Sequence, residues 1–155
     1  MTRTANITAL SIGSVLIATL ALAQSDPLAS AVAARQAHMD LYAFNLGVLG
    51  GMAQGALAYD AGAATAAADN LVALASINQT TYWLPGTESG AVEGSRAKAE
   101  LWSGIDDLMA KNAVLVAAAA AMQVAAGTDL VSLQAAMGPL GGACGACHMS
   151  YRVSN

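Results

Sequence analysis

The sequence predicts an all-α protein, an antiparallel four-helix bundle, and three observations carry that expectation. The apolar mass is aliphatic: 56% of the 155 residues are hydrophobic but only 5% are aromatic, and alanine dominates. Alanine is the best helix former and a poor strand former. Apolar residues recur at three- and four-residue spacings, with no alternating run to compete. Gly, Pro and Asp then punctuate the chain at intervals that leave four helix-length segments.

Residues 1–23 stand apart from those segments. Thr2 and Arg3 make a polar, positive start, and Ile7 to Ala23 is apolar and uncharged. Ala21-Leu22-Ala23 is the small-x-small pattern that signal peptidase accepts, and polar Gln24, Ser25 and Asp26 follow. The stretch sits at the short limit for crossing a bilayer, and no basic flank follows it, so it reads as a cleaved leader. That implies an exported chain, periplasmic in a Gram-negative cell. Residues 24–155 are then one domain, without a membrane anchor once the leader is gone.

Pro27, behind Ser25 and Asp26 as caps, opens a helix expected over 27–57. At about 100° per residue, Val32, Met39, Leu46 and Ala53 share one stripe, while Leu41, Phe44, Val48 and Met52 share another about 180° away. A helix apolar on two opposite faces needs two partners. The second stripe is therefore expected to form a homodimer contact.

Asp60 and Gly62 mark a turn into a second helix over 62–82. Pro85-Gly86 opens a loop that runs to about Gly94. A third helix is expected over 95–126, where Leu101, Ile105, Leu108, Leu115 and Met122 keep the helical spacing. Its apolar run Ala113 to Ala126 is too short to span a bilayer and reads as a buried core helix. Gly127-Thr128-Asp129 is a stop followed by a cap. In the last segment, 128–153, the residues Leu130, Leu133, Met137, Leu140, Cys144, Cys147 and Tyr151 form an unbroken seam. Gly138-Pro139 and Gly141-Gly142 fall inside it, so a kink or break is expected, with a fresh helix from about Ala143.

Charge narrows the function classes. The formal net charge is −4, which argues against nucleic-acid binding, since that needs clustered Lys and Arg. The chemistry lies in Cys144-Gly145-Ala146-Cys147-His148. C-x-x-C-H is the attachment pattern of c-type haem: two thiols add across the two vinyl groups, and the histidine stands under the iron as proximal ligand. A zinc site would need about four N or S ligands, and only His38 remains to help. A thioredoxin-like pair would need a βαβ context, which is absent. The haem helix is thus the last of four, and the facing wall must come from earlier helices.

Three features resemble the cytochromes c′ and their low-spin bundle relatives. They are Arg35-Gln36-Ala37-His38-Met39, then Pro85-Gly86-Thr87-Glu88-Ser89-Gly90 with Glu100-Leu101-Trp102, and the terminal motif with Tyr151-Arg152. Together they span nearly all of residues 24–155. The resemblance implies an exported homodimeric four-helix bundle with one covalent haem c per subunit. It implies electron transfer, with a redox partner, or binding of small gases, and not turnover of a substrate.

By the same resemblance Met39 lies over the iron. It either bonds the iron through its thioether or only covers the sixth site, and the expectation is the second, five-coordinate form. Arg35 lies one turn earlier on the same side, where a guanidinium can fork onto a haem propionate. Gln36 is a weaker candidate for that region. Arg152, one turn after His148, places positive charge near the imidazole or a propionate. Trp83 resembles the aromatic that lines the distal pocket, and Thr87 and Glu88 would lie near the haem edge. Trp102 is expected between helices, Tyr151 in the core with its hydroxyl toward water, and His38 in solvent by helical phase. A pocket of Met, Leu and Trp has few donors above the iron, which favours carbon monoxide and nitric oxide over dioxygen. The alternatives are a six-coordinate electron carrier and, from another class, a non-haem helical thiol redox or metal-binding protein.

Overall fold

The computed structural model describes residues 26–154, so the leader expected at 1–23 lies outside them. Four helices follow one another: α1 (Pro27–Ala53), α2 (Ala61–Ser76), α3 (Ile105–Ala126) and α4 (Leu130–Tyr151). Each packs on the next, and α4 closes back onto α1. Short 3-10 turns at Thr80–Tyr82 and Ala99–Ser103 interrupt the long α2–α3 connection.

Side-chain caps set three of the four starts. Asp26 accepts from the Leu28 amide, Asp60 from Ala63 and Asp129 from Ser132, at 3.0, 2.7 and 2.7 Å. Each satisfies an N–H that the first turn leaves orphaned. Helix α3 begins behind Gly104 with Asp106 and Asp107 in its first turn, where acids favour the dipole.

Three helix boundaries differ from expectation. Helix α1 stops at Ala53, because Gly55 turns the chain at φ 75°. Helix α2 stops at Ser76, and the Asn78 side chain then caps the following 3-10 turn through the Thr80 amide at 3.1 Å. Residues 96–98 are not helical but extended. Lys98 N–H donates to Tyr151 O at 2.8 Å and Val153 N–H to Arg96 O at 2.9 Å, so the connection pairs with the chain just after α4.

The expected break at Pro139 does not occur, and α4 runs through it. Pro139 and Ala135, whose carbonyl loses its bond, both face solvent, so the orphaned oxygen can be hydrated. Leu133 and Leu140 are fully buried on either side and hold both halves against α3.

The main core is aliphatic: Leu49, Leu71, Met122, Leu133 and Leu140, with alanines of α2 and α3 letting the helices approach. A smaller cluster of Ala97, Leu101 and Leu108 packs against Trp83, Trp102, Ile105, Cys147 and Tyr151. Trp102 donates its indole N–H to Trp83 O at 3.1 Å, as befits a residue between elements. Tyr151 reaches Asp107 Oδ2 at 2.6 Å rather than water alone. Gly104 permits that approach, since a Cβ there would overlap the Tyr151 hydroxyl.

Helix α1 departs most from its reading. Its buried seam is Arg35, His38, Tyr42, Asn45, Leu49 and Met52, a run of three- and four-residue steps. His38, expected in solvent, is 4% exposed and bonds Leu74 O at 3.1 Å. Met52, expected on the outer stripe, is 4% exposed in the core. The seam escaped the apolar periodicity because half of it is polar. The stripe of Val32, Met39 and Leu46 lies beside it, and Leu41 and Phe44 remain outside.

Candidate functional site

A cavity of about 910 Å³ opens between the two clusters, lined by α1, α3, α4 and the α2–α3 connection. Cys144, Cys147 and His148 enter it from α4, all half-buried. Their spacing puts the two thiols and the imidazole within one turn on one side of the helix. Burial raises both thiol pKa values, so the cysteines are held as neutral thiols. Burial lowers that of His148, and Arg152 and Arg96 nearby lower it further. The imidazole is therefore held neutral, the state that leaves a nitrogen lone pair for iron.

Met39, Arg35, Gln36, Trp83 and Arg152 line the same cavity. Met39 is 36% exposed and comes from α1, away from the helix that carries His148. Gln36 donates to Gly94 O at 2.8 Å, and Gly94, at φ 76°, has no Cβ to push that amide away.

Arg35 is largely engaged by the connection. Its Nη1 donates to Tyr82 O at 2.8 Å and Thr87 Oγ1 at 2.7 Å, and its Nη2 to Thr87 O at 2.9 Å and Ser95 Oγ at 3.2 Å. The guanidinium also lies 4.8 Å from the Trp83 ring centroid. Thr87 is therefore buried behind Arg35, and neither it nor Glu88 lines the cavity. Burial lowers the Arg35 pKa, and among the described residues no carboxylate pairs with this cation.

Sequence reasoning missed Tyr42, Arg96 and Ser95. Tyr42 and Arg96 line the cavity, and Ser95 holds Arg35. The signal that locates Tyr42 is the seven-residue step from Arg35 and the four-residue step from His38, which hydropathy alone conceals.

The donor set fits a covalent haem. Two neutral thiols at the vinyl-adding spacing, a neutral imidazole beside them and a largely apolar cavity match its chemistry. Arg35 lines the cavity hydrogen-bonded only to neutral groups, with no carboxylate beside it among the described residues, so this wall holds a cation whose counter-charge the protein itself does not supply. By contrast, no group of three or more His, Cys, Asp and Glu among the described residues is placed to hold a metal ion directly.

Comparison with known proteins agrees with this chemistry. A family model described as Cytochrome C′ matches residues 30–152. The cytochrome c-554 of Cereibacter sphaeroides is 45% identical over 147 residues, covering 94% of this chain and 96% of its own. The solved cytochrome c′ from Rhodobacter Spheriodes superposes with a TM-score of 0.80 at 38% identity, covering 83% of this chain and 98% of its own. Another solved cytochrome c′, with an unusual ligand-controlled dimer dissociation, is 27% identical, with a TM-score of 0.75 and coverage of 85% and 100%. The chain belongs to the cytochrome c′ family of c-type haem proteins, whose fold is the four-helix bundle described above.

Proposed function

We propose that this chain is an exported, periplasmic, homodimeric cytochrome c′ that binds small gases such as nitric oxide and carbon monoxide and carries electrons, without turning over a substrate. The observation that carries this reading is one cavity lined by Cys144, Cys147 and His148 from α4 and by Met39 from α1. One haem c per subunit would be held through thioethers at Cys144 and Cys147, with His148 as the axial ligand. When bound, the haem supplies a redox-active iron and a site for a diatomic ligand. Met39 would cover the iron without bonding it, and Arg35, Gln36, Arg96 and Arg152, which line the same cavity, would place donors and positive charge near the propionates.

The optical spectrum of the ferrous protein tests the role of Met39. The expected spectrum is high-spin, without sharp split visible bands, and carbon monoxide binds readily. Met39→Ala leaves the spin state unchanged and raises gas affinity by removing a steric cost. A low-spin ferrous spectrum that Met39→Ala converts to high-spin would instead make Met39 a ligand and the protein a six-coordinate electron carrier.

A further inference from the structure

Lys98 holds the end of α4 from outside that helix. Its amide N–H donates to Tyr151 O at 2.8 Å, and its Nζ donates to Met149 O at 3.0 Å. A helix leaves its last four carbonyls without partners of its own. In α4 these belong to residues 148–151. Arg152 N–H answers His148 O at 3.0 Å, and Lys98 answers two of the other three. Within the last turn of α4 the one basic residue is His148, so the cation that suits this helix end comes from the connection. The strap is doubled and anchored. Val153 N–H donates to Arg96 O at 2.9 Å, and Arg96 Nη2 donates to Val153 O at 2.8 Å. Ala97, between Arg96 and Lys98, accepts from Ser89 N–H at 2.8 Å and is buried in the cluster that packs against Cys147 and Tyr151. Lys98 itself does not line the cavity, whereas His148 and Tyr151 do.

We propose that Lys98 is a positioning residue for His148: its two bonds fix the last turn of α4, and with it the direction in which the imidazole meets the iron. The assignment rests on His148 as the axial ligand in the reading above. Helix ends fray, and α4 has little intrinsic stiffness before its end, with Gly138, Pro139, Gly141, Gly142 and Gly145 all inside it. Thioethers at Cys144 and Cys147 would fix the helix only upstream of His148. Downstream, Met149, Tyr151 and Val153 are held by Lys98 and Arg96. His148 thus stands between a covalent tie and a hydrogen-bonded one, and the second limits how far its ring can tilt. Groups that hold a ligand from behind tune a metal without touching it.

Lys98→Met removes the ammonium and keeps both the aliphatic stem and the amide bond to Tyr151 O. Two observables on the holoprotein follow the change. One is the iron–imidazole stretch in the ferrous resonance Raman spectrum. The other is hydrogen exchange of the Arg152 amide, which closes the turn on His148 O. In Lys98→Met the stretch is expected to broaden and fall in frequency, and the amide to exchange about five- to tenfold faster, the worth of one hydrogen bond. Lys98→Arg, which keeps a cationic donor on a long stem, should return both to wild-type values. Faster exchange with an unmoved stretch would make the bond a purely structural tie and overturn the proposal, as would unmoved exchange. The wild type carries a test of its own: an Arg152 amide that exchanges as freely as a frayed helix end also overturns it. A ferrous wild type without the iron–imidazole band is six-coordinate, which refutes Met39 as a mere cover instead. Lys98 and Lys98→Met are then compared in the Met39→Ala background, where the band returns and the same shift is expected, or the proposal fails. A band absent there too takes His148 off the iron and overturns both readings.

Discussion

Asp107 and Tyr151 show how a single contact beside the haem motif sets a pH window. Tyr151 donates to Asp107 Oδ2 at 2.6 Å, and Lys111 donates to Oδ1 at 2.9 Å. The Tyr151 bond first, and the Lys111 bond second, hold the Asp107 carboxyl below its ordinary 3.8. The same contact pushes the Tyr151 phenol up to about 12 from 10.0. The signs differ. The Asp107 contribution is complete above the ordinary carboxylate range and is lost as pH falls through its lowered value. The Tyr151 contribution is complete below 10.0 and is lost as pH rises toward about 12. Denaturant unfolding measured across pH should therefore give a shallower alkaline decline and a smaller acid loss in Tyr151→Phe than in the wild type. Equal limbs in both proteins would mean that the bond carries no stability. Cys144, Cys147 and His148 were legible in the sequence because their chemistry depends on residue type and spacing alone. Thr87 and Tyr42 were not. Thr87 is placed by what Arg35 reaches across the connection, and Tyr42 by a seam whose members are half polar.

At the scale of the element, α4 overrides a local conflict. A proline inside a helix costs ~3 kcal/mol, and three glycines around Pro139 add to the cost. The sequence alone therefore favoured a break, whereas α4 is continuous because Leu133, Leu140 and Ala143 are buried along one side through the proline. Packing of that seam outweighs propensity. Pro139→Ala should stabilise the holoprotein by roughly 1–3 kcal/mol in denaturant unfolding, with an unchanged Soret band, since the haem-bearing turn is already helical. Destabilisation would show that the proline shapes the helix end that holds His148. The four-helix architecture was readable because caps and breaks are local: Asp26 caps α1 as expected, while Asp60, read as a turn residue, and Asp129, read as a first-turn acid, turn out to be the caps of α2 and α4. The start of α3 was not, because residues 96–98 pair with the chain after α4, a partner more than fifty residues away that no local window contains.

The whole molecule leaves part of α1 without a partner. Phe44 is 69% and Leu41 53% exposed on adjoining turns, large apolar side chains on the side of the helix away from the cavity. Burial of one such side chain is worth about 1.5–3 kcal/mol, so leaving two in water on one helix is unfavourable unless a surface covers them. A two-fold contact between copies would bury each residue twice, once per subunit. Val48 is half-buried and Met52 belongs to the core, so the contact should centre on Leu41 and Phe44 and not on the full stripe that the sequence suggested. The two classes of substitution should therefore separate. Phe44→Glu should weaken dimerisation by roughly 10²–10⁴-fold, because two apolar contacts of that size are lost together. Sedimentation should show monomer at micromolar concentration, while the Soret band and the thermal transition of each subunit persist. Met52→Ala should do the reverse. It should destabilise the fold by about 2–5 kcal/mol through the cavity it opens and leave the dimer constant unchanged. A Phe44→Glu protein that sediments as the wild type does would remove α1 from the interface. Dissociation by Met52→Ala alone would mean that the helix packs differently once two subunits meet.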